Sequence, residues 1–98
     1  MTVPTETAAL AWTFLSNHGH VLVCIVRDPN IRVREIALAV GITERAVQRI
    51  LGELEGAGVI SRTRRGRRTH YEVNHRQPLR HPIEADHSVG ELVRLVAS

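Results

Sequence analysis

Over residues 44–56 the apolar positions Val47, Ile50, Leu51 and Leu54 recur at intervals of three and four, leaving Glu44, Arg45, Gln48, Arg49, Gly52 and Glu55 on the opposite side. That spacing predicts an amphipathic helix with one face in a core and one face free. Thr43 is its expected N-cap, and Gly56 and Gly58 end it. Val21, Leu22, Ile25 and Val26 follow the same period and predict a helix from Ser16 or Asn17 to about Arg27, weakened near its start by Gly19 and stopped by Asp28-Pro29-Asn30. Ile31 and Val33 alternate with Arg32 and Arg34, which predicts a very short strand. A short helix from Arg34 to Val40 and a tight turn at Gly41-Ile42 then lead to Thr43. Beyond Gly58 the period falls to two: Val59–Arg64 and Arg68–Val73 predict strands joined at Gly66, with Tyr71 and Val73 on one face. A polar stretch with Pro78 and Pro82 precedes a last helix, capped by Ser88 and lined on one side by Val89, Leu92, Val93 and Val96. Residues 1–10 are a weakly patterned lead-in whose Ala-rich part, after Pro4-Thr5, has the composition to extend a helix.

Charge changes this picture at one place. Residues 1–58 carry five Arg against six acids, residues 76–98 three against three, and residues 59–75 five against one. The whole net positive charge of +3 therefore belongs to the predicted hairpin. Arg62, Arg64, Arg65, Arg67 and Arg68 surround Gly66 at its tip. A concentrated cationic finger on a balanced chain is the footprint of a polyanion contact, because each guanidinium that meets a phosphate releases condensed counterions. A solvated, solubilising loop is the competing reading of such a run. All thirteen basic residues are Arg, the cation that binds phosphate bidentately.

The remaining composition mostly excludes. A chain of 98 residues is one domain with a modest core, built from Ile, Leu, Val and Ala because only Trp12, Phe14 and Tyr71 are aromatic. The longest apolar run, Val21 to Val26, is far short of a membrane span, and a soluble, cytoplasmic protein is expected. The single Cys24 excludes an internal disulfide and reads as a buried structural thiol. Six histidines raise the question of a metal, but His18/His20 and His81/His87 lack chelating spacing, so neither metal nor cofactor is expected. No catalytic triad spacing and no phosphate-binding glycine loop supports an enzyme.

Ala37, Gly41 four residues later and Val47 six after that, with Ile36, Val40, Ile42 and Ile50 around them, form the pattern of two helices crossing closely through a sharp reversal. Any tight corner between helices wants such residues; the order of parts adds weight. Helix, short strand, helix, turn, helix, strand, basic turn and strand over residues 16–75 resembles the winged helix-turn-helix domain of bacterial and archaeal transcription regulators of the MarR and ArsR type. The segments Arg34-Glu35-Ile36-Ala37-Leu38-Ala39-Val40-Gly41-Ile42-Thr43 and Leu51-Gly52-Glu53-Leu54-Glu55-Gly56-Ala57-Gly58-Val59-Ile60 carry the resemblance most strongly. It implies a mainly α fold with a small antiparallel hairpin wing, and a homodimer on double-stranded DNA. Thr43 would meet a phosphate at the helix cap, and Arg45, Gln48 and Arg49 would read the major groove. Arg64, Arg65, Arg67 and Arg68 would lie on backbone or in a narrow minor groove, with Arg32 and Arg34 as further backbone contacts. Arg62 is expected to point back to the body, and Glu44 to serve the helix dipole. Arg45 and Arg49 are also spaced to pair with Glu44 or Glu53.

The same fold serves as a protein-binding or RNA-binding module, and the polar, basic face of the second helix argues against the former. By this reading residues 1–15 are an extension, 16–75 the DNA-binding domain and 76–98 a linker and dimerisation helix. Trp12, Phe14, Leu15, Val89, Leu92, Val93 and Val96 offer more apolar surface than three helices cover, and are expected to pair across a two-fold axis; folding back on their own subunit is the alternative. Operator sequence, sign of regulation and any small-molecule effector are not written in these residues.

Overall fold

A computed structural model of the chain describes residues 10–97. The lead-in before residue 10, with its expected helical extension, lies outside them. Four helices and one hairpin follow in the order α1 (Asn17–Arg27), α2 (Val33–Val40), α3 (Glu44–Gly56), β1 (Ile60–Arg65), β2 (Arg68–Val73) and α4 (Val89–Val96).

Local chemistry sets most boundaries. Thr43 Oγ1 accepts from the Ala46 N–H at 3.0 Å and starts α3, satisfying one donor that the helix leaves open. Ser88 caps α4 while its own N–H donates to Glu91 Oε1 at 3.1 Å, a reciprocal capping box. Between α2 and α3, Gly41 adopts φ 84°, and its N–H and that of Ile42 both donate to the Ala37 carbonyl. A side chain at Gly41 would be strained in this left-handed conformation, so the reversal depends on glycine.

The core joins all these elements. Val21, Leu22 and Ile25 of α1, Ile36, Ala37 and Val40 of α2, and Val47, Ile50, Leu51 and Leu54 of α3 meet Val59, Ile60 and Tyr71 from the hairpin side. Val47, Ile50 and Leu51 are essentially without solvent contact, and truncating one such aliphatic residue to alanine costs about 2–5 kcal/mol. Removing any of them threatens a domain this small. Cys24 is half-buried against this core, and burial pushes its thiol pKa up against the opposing pull of Arg27.

Two expectations are corrected. Ile31 and Val33 do not form a strand. Val33 opens α2, and this segment meets the hairpin through one backbone bond, Tyr71 N–H to the Pro29 carbonyl at 2.8 Å. The Ile31 N–H closes a turn onto the Asp28 carbonyl at 3.1 Å and α2 begins at Val33, which leaves a ladder no room to propagate. Second, α4 packs on α1 of its own chain, and Val89 and Val93, expected at a two-fold interface, fill that chain's own core. The chain is brought there by bonds between its own segments: Val89 N–H donates to Gln77 O at 2.8 Å and Gly90 N–H to His75 O at 2.9 Å. Helix, turn, helix and a two-stranded antiparallel wing together make a winged helix-turn-helix fold.

Candidate nucleic-acid interface

The wing pairs Ile60 with Val73, Arg62 with Tyr71, Arg64 with Thr69 and Arg65 with Arg68, so Gly66-Arg67 is a two-residue turn. Gly66 alone has positive φ, 62°, the pattern of a type II′ turn whose twist matches that of the strands. This register places four of the five wing arginines at or beside the tip. Arg62 is the exception. Its strand position faces the body, where it donates to Glu55 Oε1 on the last turn of α3 through Nη2 at 2.8 Å and Nε at 3.3 Å. The bond holds the Glu55 carboxyl below its ordinary range. Arg62 is thereby a strut between wing and helix.

The tip arginines have different partners. Arg64 Nε donates to the Gly66 carbonyl at 3.0 Å, across its own turn. Arg68 Nη1 donates to the Asn30 carbonyl at 2.8 Å, 38 residues away in sequence. His70 Nδ1 lies 2.9 Å from Asn30 Oδ1. Together with the Tyr71–Pro29 bond these tie β2 to the loop between α1 and α2. Arg65 and Arg67 are exposed. Asn30 was legible only as part of a helix stop; its role depends on a contact so distant in sequence that no local pattern signals it.

On α3 the apolar positions face the core, leaving Arg45, Gln48 and Arg49 exposed. Arg49 Nη1 donates to Glu53 Oε1 at 2.8 Å, and the same oxygen lies 3.0 Å from His18 Nε2 on α1. The His18 hydrogen bond, then the Arg49 charge, lower the Glu53 pKa. Arg45 and Gln48 have no such carboxylate partner among the described residues. Thr43 spends its oxygen lone pair on the cap, which leaves the hydroxyl proton available to an incoming acceptor. Gln48 and the wing meet across one groove, walled by Gln48 on one side and by Arg64, Arg67 and Arg68 on the other. Arg32 also borders that groove, whereas Arg34 does not.

Of the expected pairing residues, Trp12 and Phe14 are 69% and 94% exposed and stack edge to face with ring centres 5.0 Å apart. Leu15, Leu92 and Val96 are half-buried. Among the described residues no cluster of three or more His, Cys, Asp and Glu side chains could hold a metal ion. None of the described helices is long and apolar enough to cross a membrane.

Residues 16–61 match the model of a winged helix-turn-helix DNA-binding family. The match runs from the cap of α1 through the first two residues of β1, and so stops short of the basic turn. It supports DNA as the partner of this domain, at the level of the winged helix-turn-helix class and not of the MarR or ArsR type. A comparison with curated proteins returns no match.

Proposed function

We propose that this chain is a sequence-specific regulator of transcription that binds double-stranded DNA, with the recognition helix, about 43–56, in the major groove and the wing, 62–68, on the backbone or in the flanking minor groove. The observation that carries this reading is the shared groove between Gln48 and three wing arginines, which lets one duplex touch both elements at once. Arg45, Gln48 and Arg49 supply the donors and acceptors suited to base edges, Arg to guanine O6/N7 and Gln to adenine N6/N7. Arg64, Arg65, Arg67 and Arg68 supply backbone charge, and Thr43 a phosphate contact at the helix cap. The protein would act in the cytoplasm as a homodimer paired through Trp12 and Phe14, with Leu15, Leu92 and Val96 as further contacts. An exposed aromatic pair of this size is the kind of anchor on which an interface forms.

Selection from a random duplex library tests the reading directly. The expected product is an imperfect palindrome whose half-sites lie about one helical turn apart. Duplex binding with no enrichment would sink the sequence-specific claim, and no duplex binding even at low salt would turn the search toward a protein or RNA partner. Replacing the two exposed rings (Trp12→Glu with Phe14→Glu) should halve the mass seen by sedimentation; an unchanged dimer mass would remove them from the interface.

A further inference from the structure

The groove between wing and helices has a volume of roughly 420 Å³, within the ~300–1,000 Å³ of small-molecule clefts. Arg32, Arg64, Arg67 and Arg68 converge on it from two stretches of chain, Gln48 and Thr69 add neutral polar groups, and no Asp or Glu among the described residues lines it. Two of the four guanidiniums are oriented by neutral acceptors, Arg68 by the Asn30 carbonyl and Arg64 by the Gly66 carbonyl. A carbonyl fixes direction without cancelling charge. The arginines neutralised by carboxylates, Arg49 and Arg62, do not border this groove.

Four like charges around one cleft repel one another, and a compact anion with several acceptor oxygens relieves that repulsion. A phosphate group suits guanidinium forks best, since it accepts bidentate pairs from more than one arginine. We propose that the groove is a seat for one phosphate group, gripped by Arg32, Arg64, Arg67 and Arg68. It takes a backbone phosphate of bound DNA and, in the absence of DNA, a terminal phosphate of a free diphosphate-bearing anion. The first half rests on the DNA-binding reading; the second does not. Arg32 thus becomes a phosphate ligand outside the wing. Free polyphosphate anions become competitors of DNA for the same seat.

Inorganic pyrophosphate is the probe. With arginine side chains followed by NMR, the expected result is a saturable shift of the Nε–H signals of Arg32, Arg64, Arg67 and Arg68, with Arg45 and Arg62 little moved. Pyrophosphate should also displace duplex DNA more strongly than sodium chloride of equal ionic strength. Arg32→Ala and Arg67→Ala, both at exposed positions, should each weaken pyrophosphate binding at least about tenfold and lower the salt slope of duplex binding by about one. Arg45→Ala should leave pyrophosphate binding unchanged. Shifts that spread over all arginines without saturating, or pyrophosphate affinity unaltered in both groove variants, would overturn the seat. Saturable pyrophosphate binding by a protein that binds no duplex would uphold the seat and remove the DNA reading. Duplex binding whose salt slope is untouched by Arg32→Ala would remove the DNA half of the proposal alone.

Discussion

Arg68 in the wing and Arg49 on the outer face of α3 each donate a hydrogen bond of 2.8 Å, but the first ends on a backbone carbonyl and the second on a carboxylate. The wing tip therefore keeps its full charge while its side chains are partly pre-oriented. On the helix side Glu53 and Glu55 take up Arg49 and Arg62, and both carboxyls are held below their ordinary range, Glu53 by His18 and then Arg49, Glu55 by Arg62. The difference separates two tasks that arginine usually performs together. In the proposed complex a standing cationic wing would attract any duplex, because phosphate contacts are indifferent to sequence. A helix arginine already engaged by a glutamate would leave it only for an acceptor that matches its fork, which would disfavour the wrong base in the proposed complex.

The largest effect should come from removing the standing charge. Changing Arg64, Arg65, Arg67 and Arg68 together to alanine should flatten the salt dependence of duplex binding by about four, and lower affinity at ~0.1 M salt by roughly three orders of magnitude. All four are exposed and the change costs two exposed hydrogen bonds, Arg64 to Gly66 and Arg68 to Asn30, so the thermal midpoint should fall only slightly; fluorescence anisotropy across a salt series reads the first quantity and calorimetry the second. A slope unchanged by the quadruple variant would mean that the wing tip meets no phosphate.

Next in size are the helix positions free of carboxylates. Arg45→Ala or Gln48→Ala should cut the preference for a selected operator over random duplex roughly tenfold, with the salt slope altered by no more than about one. Competition binding with both duplexes separates the two outcomes. Glu53→Gln probes the tethered arginine in the opposite direction. Freed of its partner, Arg49 should raise affinity for random duplex several-fold and steepen the slope by about one, while operator preference falls; weaker binding to random duplex would show that Glu53 positions Arg49 rather than restrains it.

The smallest effect is a pH dependence. A carboxyl whose folded-state pKa is lowered stabilises the fold above its ordinary range, and that contribution disappears as pH falls through the lowered value. Glu53 and Glu55 both belong to this class. The urea midpoint of the parent should therefore decline on the acid side more than that of the Glu53→Gln, Glu55→Gln double variant, the two curves converging once both carboxyls are protonated. Parallel curves from neutral to acid pH would mean that the pairs contribute nothing to stability.

What the sequence disclosed and what it withheld divide by distance along the chain. Thr43, Ser88 and Gly66 were legible because a cap or a turn is decided within four residues, and the face of α3 because its period is local. The Arg62 strut was foreseen in direction, since a strand position alternates toward the body, and the Arg49–Glu53 pair stood as one of two options. Asn30 was invisible as an anchor, since its partners are 38 and 40 residues away. The burial of Val89 and Val93 was equally hidden: an apolar stripe covers a partner or its own chain with the same spacing, and the choice was made by the Gln77 and His75 carbonyls that draw α4 home. At Ile31 and Val33 the alternation was real but ran too short for a ladder.

The wing's attachment to the loop before α2 has one more consequence. Three bonds, Tyr71 to Pro29, Arg68 to Asn30 and His70 to Asn30, fasten the hairpin to the same block that carries α3. On the proposed function, the protein would be a ruler with a fixed interval between its two marks. One base pair inserted between the helix-contacted and wing-contacted segments of an operator displaces them by about 3.4 Å and rotates them by about 35°. A floppy hairpin would absorb that phase error; in the proposed complex this one would transfer it to the DNA, which would have to untwist to fit.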